Sequence, residues 1–128
     1  MGLRLTSRRW GRCQVVDVCG NVRGAAAGLL DTGLRTALDG AFLLIAANLA
    51  EAILADASAL EVLAGIHRRA FLAGKVFLVV APDPQARERM RVTGLDRTLL
   101  VFPTVADFHA WNGGSRTQLD GGDVLMCG

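Results

Sequence analysis

Seven consecutive residues, Ala41 to Ala47, carry no polar side chain. A strand so composed has no face to offer water, so both sides of it must be covered, which is the situation of strands in parallel sheets flanked by helices. Val76 to Val80 (VFLVV) is a second run of the same kind. Between the two, Ala59, Val62, Leu63, Ile66 and Ala70 recur at helical spacing and specify an amphipathic helix that ends near Gly74. Strand, helix, strand in that order specifies an α/β domain with mostly parallel pairing.

The remaining elements extend this alternation. Leu3 to Ser7 reads as an edge strand before a turn at Trp10-Gly11, and Gln14 to Val18 as a strand stopped at Gly20. Gly24 to Leu38 reads as a helix with Ala26, Leu30, Leu34, Ala37 and Leu38 on one face, Asp31 and Arg35 on the other, and Gly40 closing it. The segment Asn48 to Ala55 reads as the link from the strand to the second helix. Asp83 as N-cap with Pro84 in the first turn starts a short third helix that stops around Thr93-Gly94. Thr98 to Phe102 is the fifth strand, and Thr104 with Asp107 opens a last helix to Trp111 as a variant capping box. One domain over residues 1–111 is expected, with about five strands in a mostly parallel or mixed sheet and about four helices. Residues 112–128 hold five glycines and no periodicity; they read as a flexible tail, in which Val124-Leu125-Met126 could dock on an edge strand.

Composition narrows the function. A net charge of +2, with arginines scattered and not interleaved with aromatic residues, gives no nucleic-acid footprint. Met1 to Arg12 contains no long apolar segment that would read as a signal peptide. Ala41 to Leu54, broken by Asn48 and Glu51, is shorter than the roughly 20 residues that span a bilayer. A cytoplasmic protein acting on neither membrane nor nucleic acid is the expectation. Cys13 and Cys19 bracket one strand and so stand roughly 20 Å apart, too far for a disulfide; with Cys127 they read as free thiols.

Motifs for catalysis are missing. Gly20, Gly24 and Gly28 are spaced by four, which is not a dinucleotide-binding turn, and no Walker lysine follows them. His67 and His109 have no cysteine or carboxylate at ligand spacing. Asp17 alternates with Val16 and Val18, which places it toward water or a loop. Asp56 as the phosphoacceptor of a response-regulator receiver fails, because no acidic pair follows the early strand and the one lysine, Lys75, precedes the fourth strand. No enzyme activity, catalytic residue, metal site or cofactor is expected.

What remains is Asp56-Ala57-Ser58-Ala59-Leu60, at the start of the second helix. Asp56 is placed as N-cap, with a hydroxyl close to backbone N–H groups that favour negative charge. A phosphoryl group there could be read by a partner protein without a metal or nucleophile nearby.

This order of elements, together with several local patterns, resembles the STAS domain, the fold of bacterial anti-sigma factor antagonists, from about Leu3 to Trp111. Gly20-Asn21-Val22-Arg23 stands where that family has a Gly-Glu-Leu-Asp-like turn. Asn48-Leu49-Ala50 and then Asp56-Ala57-Ser58-Ala59-Leu60 stand where it has Asp-Leu-Ser and Asp-Ser-Ser-Gly-Leu. Thr93-Gly94-Leu95-Asp96 matches its Thr-Gly-Leu turn. The resemblance implies a regulatory protein that binds an anti-sigma factor, itself a serine kinase, and so releases a sigma factor, until phosphorylation at the second-helix start ends the binding. It implies a partner surface of Asn21, Arg23, Asn48, Asp56, Ala57, Ser58, Ala59 and Leu60, including the Gly20 to Gly24 loop. The family's usual acceptor position is Ala57 here, and Ser58 matches the second hydroxyl, so Ser58 is the candidate for phosphorylation. Arg23 reverses the charge of the family's turn Asp, Asn48 replaces another Asp, and Ala59 replaces a Gly. Ala57 and Arg23 also fit an alternative from another class: a constitutive STAS scaffold, without the switch, that assembles with itself or into a larger sensor complex.

Overall fold

The apolar runs become the middle of a five-stranded sheet in the computed structural model, which describes residues 3–111. The tail expected over residues 112–128, with Cys127, lies outside the described residues. The strands are β1 (Arg4–Trp10), β2 (Cys13–Val22), β3 (Leu44–Leu54), β4 (Val76–Val80) and β5 (Leu100–Phe102), in spatial order β1-β2-β3-β4-β5. Only β1 runs antiparallel to its neighbour; the other pairings are parallel. The helices are α1 (Ala26–Leu38), α2 (Ala57–Leu72), α3 (Pro84–Val92) and α4 (Val105–Trp111), with a single 3₁₀ turn at Leu95–Arg97 before β5.

Each of α1, α2 and α3 joins a strand to the next one along in the same direction. Right-handed crossovers therefore put all three on one face of the sheet. There Val16, Val18, Ile45, Ala47, Phe77 and Val79 meet Leu30, Leu34, Leu63, Ile66 and Met90 in the larger core. The alternate residues of the same strands, Val15, Ala46, Leu78 and Val80, point to the opposite face and pack with Trp10 and Phe108 of α4. The double-sided burial expected of β3 and β4 follows from this arrangement. Cys13 belongs to that second face, and burial pushes its thiol up to about 12, which keeps it protonated and unreactive.

Several segments depart from expectation. The apolar run at Ala41 to Ala47 enters the sheet only at Leu44, leaving Ala41 and Leu43 exposed, and the fifth strand starts at Leu100, not Thr98. Residues Asn48 to Leu54 are not a link but the second half of β3, and β2 likewise runs on to Val22 past Gly20. The two strands shift register between Asp17/Asn48 and Cys19/Glu51, where Leu49 and Ala50 of β3 stand against Val18 alone. Such a bulge leaves backbone groups to be satisfied. Here Asn48 fills the gap: its Oδ1 accepts from Ala50 N (3.2 Å) and its Nδ2 donates to Asp17 Oδ1 (2.9 Å). Asp17 Oδ2 in turn accepts from Arg8 Nε of β1 at 2.6 Å. Asp17 thus faces neither water nor a loop; it is 5% exposed, and Asn48 is 3% exposed. A strand can carry these groups inward because each finds a partner across the sheet.

Lys75, just before β4, donates to the carbonyls of Leu38 (2.5 Å) and Gly40 (2.7 Å), closing the C-terminal end of α1. On the opposite face His109 of α4 stacks on Trp10, with ring centroids 4.0 Å apart and planes within 8°. Its buried Nε2 has no hydrogen-bond partner among the described residues. Desolvation, followed by the charge of Arg8, holds His109 below its usual value.

Three outcomes follow for stability. Asp17→Ala removes the acceptor shared by Asn48 and Arg8 and costs about 3 kcal/mol in chemical denaturation. Gln14→Ala removes an exposed bond to Ser7 Oγ and stays within about 0.5 kcal/mol. His109 takes up its proton more readily in the unfolded chain, where its pKa is about 6.5. Its contribution is therefore whole above that pH and declines as the pH falls toward the lower folded value. Melting temperatures read between about pH 7 and pH 5 fall in the native chain, and that part of the slope disappears in His109→Phe.

Candidate functional site

The extended β3 delivers the chain to the carboxyl edge of the sheet, where Ala55 N still pairs with Val22 O (3.2 Å). Asp56 follows in an extended conformation (φ −148°, ψ −178°) and caps α2, its Oδ1 accepting from Ser58 N at 3.1 Å. The same oxygen accepts a short hydrogen bond from Ser58 Oγ. Oδ2 reaches across to the loop between β2 and α1 and accepts from Gly24 N at 3.2 Å. One carboxylate therefore ties the mouth of α2 to the loop that precedes α1. Gly24 sits at φ +56°, a backbone conformation that glycine adopts without strain and that aims its N–H outward. From below, Arg89 of α3 donates to the Leu54 carbonyl at 2.6 Å, fixing the end of β3.

The electrostatics agree with this geometry. The Ser58 hydroxyl, then the N–H groups of Gly24 and Ser58 and the charge of Arg23, hold the Asp56 carboxyl below the usual carboxylate range. Arg23 is exposed on the adjoining loop and lies within electrostatic reach of Asp56. Ile53, 57% exposed, adds a large apolar side chain near the end of β3.

Of the eight residues expected on a partner surface, Asn21, Arg23, Asp56 and Ala57 are exposed and Ser58 is half-buried. Asn48 is elsewhere: its side chain is buried in the sheet with Asp17 and offers nothing to a partner. Ala59 and Leu60 are also buried, because they lie on the stripe that packs α2 onto the sheet. Gly24 was expected only as the end of the Gly20 to Gly24 loop, because a glycine whose contribution is its N–H has no side-chain signature. Ile53 was not singled out, since it lies in the stretch that reads as a link until β3 is seen to run on past β4.

The strand order never reverses along this sheet. In open α/β sheets, ligand crevices form outside the strand ends where the order does reverse. Asp56, Ser58 and the Gly24 loop accordingly form a continuous rim. Among the described residues there is no group of three or more His, Cys, Asp and Glu side chains placed to hold a metal, and no helix is long and apolar enough to cross a membrane.

A family model described as the STAS domain matches residues 10–108, most of the chain and all of the elements that build this rim. The chain belongs to the STAS domain family. Solved structures agree on the fold. An anti-sigma factor antagonist from Mycobacterium paratuberculosis superposes with a TM-score of 0.75 at 23% identity, over 83% of this chain and 90% of that one. A putative anti-sigma factor antagonist from Thermotoga maritima gives 0.73 at 17% identity, over 81% and 90%. The unphosphorylated form of the anti-sigma factor antagonist SpoIIAA gives 0.62 at 16% identity, over 84% and 93%. No curated protein matches the chain by sequence. With the STAS fold, the five-stranded mixed sheet and four helices expected from the sequence are in place.

The Asp56 cap gives a graded test by thermal melting. At neutral pH Asp56→Ala lowers the melting temperature more than Asp56→Asn, since asparagine also caps a helix well. The native carboxyl has a lower pKa folded than unfolded, where it is about 3.9. Its contribution is therefore complete above that pH and is lost as the pH falls through the folded value. The gap between native protein and Asp56→Ala narrows on acidification.

Proposed function

We propose that this STAS domain is a regulatory protein-binding module of the anti-sigma factor antagonist type, whose docking surface is the rim formed by Asn21, Arg23, Gly24, Ile53, Asp56, Ala57 and Ser58. The partner is an anti-sigma factor with serine-kinase character, and binding it frees a sigma factor for transcription. The carrying observation is the Asp56 carboxylate that locks the mouth of α2 to the Gly24 loop. A surface held rigid before binding loses less entropy on association, and its lack of a crevice suits a macromolecule better than a small substrate. The structural neighbours named above, anti-sigma factor antagonists, support the same reading.

Ala57 gives the direct test. It is exposed at the first position of α2, where a negative side chain is favourable to the helix itself. Ala57→Glu should leave the melting temperature unchanged or slightly higher, yet weaken binding to the anti-sigma factor of the same organism at least tenfold, a loss of about 1.4 kcal/mol. Calorimetric titration reads it; equal affinity for both proteins removes this rim from the interface.

Ser58 carries the switch in this reading. Its hydroxyl now donates to Asp56, and a phosphoryl group would replace that donor with about −1.5 to −2 charges beside the carboxylate. The helix mouth would lose its tie to Ser58 Oγ, and the partner would face a new charge. Incubation with the kinase and ATP, followed by mass spectrometry, should place phosphate on Ser58. An unmodified Ser58 ends the switch; a chain that also ignores the kinase supports the second reading, a constitutive scaffold. That reading is favoured by Ala57, which has no hydroxyl, and by the engagement of Ser58 Oγ with Asp56. Sedimentation then shows a stable homo-oligomer or a larger assembly.

A further inference from the structure

At the opposite end of the sheet, where β3 and β4 begin, lies a groove of about 680 Å³. Arg12, Phe42, Leu43, Leu44, Val76 and Trp111 contribute to its lining. Three of these, Leu43 (65%), Val76 (44%) and Trp111 (44%), are among the large apolar side chains that the described residues leave exposed. The floor is firm, since Val76 N donates to Leu43 O at 2.9 Å. Exposed apolar side chains gathered around one concavity mark a binding site more often than scattered ones do.

We infer that this groove is the docking site for the chain's own Val124-Leu125-Met126. Trp111, which lines the groove, is also the last described residue, so residues 112–128 start at its lip. Within those residues the sequence is polar and Gly-rich except for Leu119 and the cluster Val124-Leu125-Met126-Cys127. Thirteen residue steps separate Trp111 from Val124, and a Gly-rich chain of that length has a root-mean-square span of about 20 Å. The cluster therefore reaches a groove whose edge is its own point of departure. A short tether of this kind supplies an effective concentration in the millimolar range, so a modest apolar contact is enough to fill the site. A second copy of the chain is a poorer occupant, because a stable interface engages about 20–30 residues a side. The inference is separate from the proposed function. The groove stands at the start of β3 and the rim at its end, ten residue steps or about 33 Å away.

Hydrogen exchange followed by NMR on the full chain tests it. In the native protein the amides of Val124 to Met126 should exchange about tenfold or more slowly than those of Gly121 and Gly122, independently of protein concentration. Leu125→Glu and Leu43→Glu should each abolish that protection, and Leu125→Glu should shift the amide resonances of Leu44 and Val76. Leu43 is exposed, so its substitution leaves the core intact, and unchanged exchange across β4 verifies this. Absence of protection in the native chain overturns the inference. Protection that survives Leu43→Glu does so too, placing the segment elsewhere, for instance on the edge of β5. Protection that rises with concentration alongside a dimer in sedimentation assigns the groove to a second copy and also overturns it.

Discussion

The hydrogen bond between Asn48 and Asp17 is the interaction on which the geometry of the Asp56 rim depends. It sits at the point where β2 and β3 change register, and it holds Asn48 so that its Oδ1 accepts from the backbone N–H of Ala50. Beyond it the two strands continue together as far as Val22 and Leu54, and only that continuation brings Asp56 level with Gly24. A buried carboxylate is costly unless it is fully partnered; Asp17 has Asn48 on one oxygen and Arg8 on the other. The polar group in the middle of the sheet is thus tied to the geometry of the rim some residues away. β1 takes part as well, because Arg8 belongs to it, so the antiparallel edge strand is more than a cover for the sheet.

Asp56 then does for the loops what Asn48 does for the strands. An N-cap needs one acceptor for one or two helix N–H groups. Asp56 satisfies that need with a single oxygen and has the other free for Gly24. Serine or threonine at this position would cap the helix yet leave the loop unattached, having only one oxygen. A carboxylate here therefore has a structural role of its own, since it ties the mouth of α2 to the loop before α1.

Much of this was legible in the sequence, for physical reasons that differ from place to place. The apolar runs located the double-sided strands over Ile45 to Ala47 and Phe77 to Val80, but not their beginnings, since Leu43 and Val76 are exposed at the end of the sheet. The helices followed from their core-facing stripes, and Asp56, Asp83 and Thr104 were readable as caps because capping is local chemistry. The second half of β3 was not legible, since Asn48 and Glu51 interrupt its apolar pattern in the way a loop would. Asp17 reads as exposed on alternation alone, which has no means of reporting a partner 31 residues away. Asn48 shows the limit of motif spacing, which fixes position along the chain but not the face a side chain takes. Ala59 and Leu60 carry two assignments, helix stripe and partner surface, and packing settled the matter in favour of the stripe.

The topology explains why the carboxyl edge of the sheet is a rim and not a cleft. Because the strands follow one another in order, α1, α2 and α3 all lie on one face and no cleft opens between helices on opposite faces at the carboxyl edge. The other face is covered by the seven residues of α4, anchored by Phe108 and the His109–Trp10 stack. The two poles of the sheet are consequently held by different means. The rim at Asp56 is fixed by hydrogen bonds between loops, whereas the groove at Trp111 depends on apolar packing at the end of α4, the shortest α-helix among the described residues. Hydrogen-bonded loops with little buried apolar area present polar groups in a set pattern, and a surface of that kind discriminates by charge more than by apolar area.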